Sequence, residues 1–159
     1  MARALYRSRQ VMHALAPRID EGELAQARKL LSEAEAGLFL SMERRDQCHA
    51  LAVLRRLRVE SEERPLLVAA LLHDCGKGRV PVWLRIAKVM APWWLEWAAK
   101  PGDQGWRVAA YRLREHAEIG ATKAEAAGCE ARTVRLIRGR VEPDEAWMYA
   151  LLCRADDAS

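Results

Sequence analysis

Apolar residues recur at three- and four-residue intervals along most of the chain, and no alternating β-branched stretch interrupts them. That period belongs to helices buried along one side rather than to strands. A first helix is expected over residues 3–16, stopped by Pro17. A second follows Asp20 and carries Leu24, Ala27, Leu30 and Leu31 on one face. Ser32 with Glu35 fits a reciprocal N-terminal cap, so a third helix starts there and presents Leu38, Phe39 and Met42. A fourth opens near Asp46, whose acid suits a helix start, and carries His49, Ala52, Val53, Leu54 and Leu57. Pro65 suits the first turn of a fifth, an apolar run that Gly76 and Gly78 end.

Beyond this run, Pro81 and Pro92 divide residues 80–100 into two short helices, and Pro101-Gly102 is a turn. Helices are then expected over residues 104–116, 117–127 and 130–138, and a last one runs from Glu142-Pro143-Asp144 to the C-terminus. The pattern predicts an all-α, single-domain helical bundle with short connections.

Composition narrows the classes of function. A chain of 159 residues can bury a sizeable core without cross-links. No uncharged apolar run reaches membrane-spanning length, and the N-terminus lacks a secretory h-region, so a cytoplasmic protein is expected. The cysteines, Cys48, Cys75, Cys129 and Cys153, form no C-x-x-C pair and read as reduced thiols. The net charge of +4 includes two arginine clusters, residues 55–58 and 135–140. Without a basic block or basic–aromatic module, they point to anionic ligands rather than a nucleic acid, with a solvated basic face accounting for most of the charge.

Candidate chemistry gathers on a few residues. Of four histidines, His49 sits among apolar helix positions, His73 ends the apolar run beside Asp74, and His116 falls between two expected helices. His13 lies in the N-terminal stretch, where a structural or surface role is expected. Asp156 and Asp157 end the last apolar helix. Burying several ionisable groups together is costly unless they pair or bind a cation. Imidazole and carboxylate suit a divalent transition metal: Mn, Fe, Co, Ni or Zn.

Four segments in order carry a family resemblance: "LFLSMERRDQCHALAVLRRL", "AALLHDCGKG", "EHAEIGATKAEAAG" and "ALLCRADDAS". Together they resemble the HD-domain metal-dependent phosphohydrolase superfamily. The resemblance implies an HD domain over residues 33–159, with residues 1–32 as a helical extension packed on it. It implies one divalent metal ion held by His49, His73, Asp74 and Asp156. Asp156 is taken as the ligand because it follows Ala155, as in the family, with Asp157 as the alternative. The implied chemistry is hydrolysis of a phosphate ester, in a nucleotide or related small molecule. Asp74 would both ligate and orient water, and Lys77 would hold phosphate or that water as a point charge.

Two departures from the family pattern qualify the expectation. Ala117 stands where proline is common, and Arg140 and Val141 stand where two-metal members carry a histidine pair. The second metal site is therefore expected to be broken. His116 would remain as an acid or base, a supporting group or a remnant, and Arg138 and Arg140 would clamp a substrate phosphate. A catalytically reduced module that binds a nucleotide or a partner protein is the alternative. Finally, Trp83, Trp93, Trp94, Trp97 and Trp106 crowd one segment. They are expected to pack over the bundle or to form a homodimer face; a membrane-surface helix is the third reading.

Overall fold

The computed structural model describes residues 19–90, 93 and 104–159. The expected helix over 3–16, His13, Trp94 and Trp97 lie outside them. Among the described residues there are eight α-helices and no strand. The helices are α1 (Glu21–Leu30), α2 (Glu33–Leu40), α3 (Arg44–Leu57), α4 (Arg64–Leu72), α5 (Val82–Met90), α6 (Trp106–Ala126), α7 (Ala131–Arg138) and α8 (Ala146–Asp157). A 3₁₀ turn, Pro143–Glu145, leads into α8.

Helix α4 is the axle. Every position from Pro65 to Leu72 is buried, and α1, α2, α3, α7 and α8 all pack against it. Fully burying one leucine contributes about 1.5–3 kcal/mol, so this run fixes the helix firmly. Ala27 of α1 and Phe39 of α2 are in the same core. A smaller apolar cluster, Val80, Leu84, Ala109, Ala110 and Leu113, docks α5 on the first half of α6.

Local signals set several boundaries. Asp20 caps α1 by accepting from the Glu23 amide at 2.9 Å. Ser32 and Glu35 form the reciprocal cap of α2, at 3.2 and 2.7 Å. Helix α3 begins at Arg44, two residues before Asp46. Asp46 does not cap it, because its buried carboxylate is engaged by both guanidinium nitrogens of Arg85, at 2.8 and 2.9 Å.

One expectation needs correcting. Residues 104–116 and 117–127 are not two helices but one, the 21-residue α6. No proline or C-terminal glycine stands at His116-Ala117, and alanine is the best helix former, so nothing ends the helix there. Gly120 is tolerated inside it for a packing reason. It lies against Gly76, whose own Cβ, if present, would stand 2.0 Å from the His116 carbonyl oxygen. A side chain at 76 would thus hold α4 and α6 apart.

Candidate metal centre

The apolar run of α4 stops at Leu72, and His73 to Gly76 form a turn. His73 caps the core helix, still in a right-handed helical conformation with its N–H on the Ala69 carbonyl, and the turn carries Asp74 off its end. His49 reaches the same place from the middle of α3. Ligand atoms of His49, His73 and Asp74 lie within 4.8 Å of one another. Asp156, from the last turn of α8, completes the corner: its Oδ1 is 2.6 Å from His49 Nε2 and 3.4 Å from His73 Nε2. The two imidazole rings meet edge to face, 5.4 Å between centroids.

Hydrogen bonds fix how these groups present themselves. His73 Nδ1 lies 3.0 Å from the Ala70 carbonyl oxygen. A carbonyl only accepts, so Nδ1 holds the proton and Nε2 presents a lone pair. That Nε2 and Asp74 Oδ1 are both buried with no hydrogen-bond partner, 3.5 Å apart. Two acceptors facing each other without a donor are costly, and a cation between them removes the cost. The residues present therefore fit a divalent ion, and the nitrogen–carboxylate set is one that transition metals favour.

The charges of the site are strongly coupled. Asp156 is held well below the usual carboxylate range by the His49 hydrogen bond and then by His73. Burial pulls His73 down, but nearby Asp156 and Asp74 outweigh it and raise its pKa. Burial pushes Asp74 up, yet the charges of His73 and Lys77 lower it overall. Lys77 donates to Asp74 Oδ2 at 2.5 Å, leaving Oδ1 as the free oxygen.

His116, on α6, is a neighbour rather than a member of this set. Its Nδ1 lies 3.0 Å from the Leu113 carbonyl oxygen, so its Nε2 too presents a lone pair. Burial, then the charges of Lys77 and Lys88, push its pKa down to about 4, so it is neutral at physiological pH.

Arg138 and Arg140 pair with an acid of α6. Arg138 donates to Glu118 at 3.0 Å, and Arg140, 78% exposed, lies 3.7 Å from the same acid. Glu118 is on α6, so these guanidinium groups tie α7 and its following loop to α6. Asp157, Asp156's alternative, is exposed and makes no contact with the histidines. A cleft of about 570 Å³ opens elsewhere on α5, lined by Arg45, Arg79, Arg85 and Trp106 and by none of the four corner residues.

Sequence reasoning overlooked Lys88. It belongs to α5 but sits in the field of Asp74, Asp156 and Lys77, and burial followed by Lys77 lowers its pKa. The available signal was its spacing: it follows Arg85 by three residues, one turn along the same helix face.

An all-helical bundle with two imidazoles and two carboxylates at the broken end of its central helix defines a metal-centre scaffold. The HD domain family profile matches residues 47–146, well over half of the chain, and the chain belongs to that family, one of metal-dependent phosphohydrolases. The match takes in His49, His73 and Asp74 and ends before Asp156. No curated protein and no solved structure matches the chain significantly.

Proposed function

We propose that the chain hydrolyses a phosphate ester of a small molecule, such as a nucleotide, with one divalent ion held by His49, His73, Asp74 and Asp156. The observation that supports this most is the pair of buried, partnerless atoms, His73 Nε2 and Asp74 Oδ1, beside His49. When bound, a divalent ion lowers the pKa of water and neutralises charge on phosphoryl oxygens.

The chain's own residues supply the rest. Asp156 Oδ1 lies close to the Nε2 atoms of both His49 and His73, so it would stand beside them as the fourth donor to the ion. Lys77 holds Asp74 by one oxygen and frees the other. Its ammonium also stands ready for a phosphoryl oxygen. His116, kept neutral with Nε2 unprotonated, can take a proton from an attacking water and return it to the leaving group.

Metal analysis followed by a phosphatase screen over Mn, Fe, Co, Ni and Zn tests this reading, with Asp74→Ala as control. Metal-dependent turnover in the wild type and none in Asp74→Ala is expected. Absence of metal uptake, or equal turnover in both, contradicts it.

A second reading has its own support. Arg140, which stands where two-metal members carry a histidine, pairs with Glu118 at 3.7 Å and, being always protonated, does not ligate a metal. On that reading the chain binds a nucleotide or a partner protein without turnover. Metal uptake and nucleotide binding with no hydrolysis under any ion would favour it. A homodimer through the Trp-rich segment accompanies either reading: Trp83, Ile86 and Met90 are exposed along one face of α5, and Trp93 is exposed too.

A further inference from the structure

Lys88 has no hydrogen-bond or ion-pair partner among the described residues, although it is half-buried. Its place is fixed by Arg85, one turn earlier on α5. Arg85 donates to Asp46 at 2.8 and 2.9 Å and to Glu43 at 3.2 Å, which clamps this face of α5 against the start of α3. Asp46 is one turn before His49 on α3, so the clamp is also one turn from the metal corner. The charges acting on Lys88 include those of Lys77, Asp74 and Asp156, and its own acts on His116 across the site.

Lys77 stands at the corner, and Lys88, one turn beyond the Arg85 clamp, is acted on by the charges of the same groups. Lys77 has Asp74; Lys88 has repulsion from Lys77 and Arg85 and attraction from Asp74 and Asp156, acids already engaged. A half-buried, partnerless cation beside another cation costs stability, and a bound divalent ion would raise that cost. An anion entering the corner reverses the sign. The carboxylates of Asp74 and Asp156 cancel a divalent ion, and His116 is neutral, which leaves the two lysines uncompensated. A phosphomonoester, doubly charged near neutral pH, matches them; a phosphodiester, singly charged, does not.

We propose that Lys88 is a substrate-binding residue that, with Lys77, selects a terminal phosphomonoester over a phosphodiester. The inference rests on the metal-dependent reading above. It adds the substrate class and a residue that the sequence segments of the family resemblance do not contain.

The test compares wild type, Lys88→Met and Lys88→Arg. Manganese stoichiometry at saturation is measured first and is expected to be equal in all three, with affinity no weaker in Lys88→Met than in wild type. Calorimetry of inorganic phosphate on the Mn²⁺-loaded protein should show about tenfold or greater weakening in Lys88→Met, with Lys88→Arg close to wild type. The kcat/KM ratio for p-nitrophenyl phosphate over bis-p-nitrophenyl phosphate should fall about tenfold in Lys88→Met, chiefly through KM for the monoester. In phosphate-free buffer, Lys88→Met should melt about 2–4 °C higher than wild type, because a partnerless charge is gone. Equal phosphate affinity in wild type and Lys88→Met, an unchanged ratio, or a lower melting temperature overturns the role of Lys88 while leaving the metal site standing. If wild type takes up no manganese, the metal reading fails. The melting comparison then decides on Lys88 separately: a rise retains an anion-binding lysine, and no rise removes it.

Discussion

Among the described residues four carboxylates are buried, and three differ from the fourth. Glu35 accepts from its cap amide and from Arg64, at 2.7 and 2.9 Å. Asp46 takes a two-pronged bond from Arg85. Glu145 is gripped by Arg132, Arg135 and the Glu142 amide. Each of these acids has charge-assisted partners and holds helices together. Asp74 has Lys77 on one oxygen and nothing on the other, and the imidazole nitrogen beside it is equally unmet. A fold can supply arginines wherever it needs a satisfied acid. The corner of His49, His73, Asp74 and Asp156 is under-satisfied by its own side chains, and that contrast separates a site from a set of struts.

The contrast breaks most sharply at Asp74. Asp74→Ala should lower metal affinity by at least about 100-fold, more than loss of a mere supporting group. Equilibrium dialysis with metal quantification checks it. The Glu35→Ala variant should do the opposite: a stability loss of about 2–3 kcal/mol in denaturant melts, with metal affinity intact. If both variants lose metal and stability in the same proportion, the distinction between strut and site collapses.

Gly76→Ala sharpens the same comparison from the packing side. A Cβ 2.0 Å from the His116 carbonyl forces α6 away from the turn. The expected cost is on the order of 3 kcal/mol, with weakened metal binding because His73 and Asp74 lie in that turn. Thermal melts and dialysis on one preparation read both.

A smaller effect concerns pH. His116 titrates at about 4 in the fold, below the ordinary value of 6.5. Between those values the unfolded chain binds the proton that the folded chain refuses, so stability falls as pH drops from 6.5 to 4. The contribution is on the order of 2 kcal/mol over that window. The metal-free His116→Gln variant should show a shallower fall over the same range. The smallest effect belongs to Arg140→Ala: an exposed pair at 3.7 Å should contribute under about 1 kcal/mol, with turnover unchanged.

The helical period made the architecture legible, and the local caps at Asp20 and Ser32 placed two helix starts correctly. The order of the histidine and aspartate segments pointed at the corner before any geometry. What the sequence hid was tertiary. Asp46 read as a helix-start acid because its partner, Arg85, lies 39 residues later. The break expected at His116 followed the place where the family often has proline, and Ala117 lets the helix continue. The pairing of Arg138 and Arg140 with Glu118 was hidden because that acid faces them only after α6 and α7 pack. Lys88 was one cation among many until α5 docked beside α3.

The central claim is that His73 Nε2 and Asp74 Oδ1 are unmet because they wait for a cation. Crystals soaked in manganese chloride and measured at an anomalous wavelength test it directly. One strong anomalous peak is expected, bounded by His49, His73, Asp74 and Asp156. It should lie about 2.0–2.2 Å from each donor atom, the range for imidazole and carboxylate on a divalent transition metal. A well-ordered corner with no peak, and with Asp156 still hydrogen-bonded to His49 as in the metal-free protein, would contradict it.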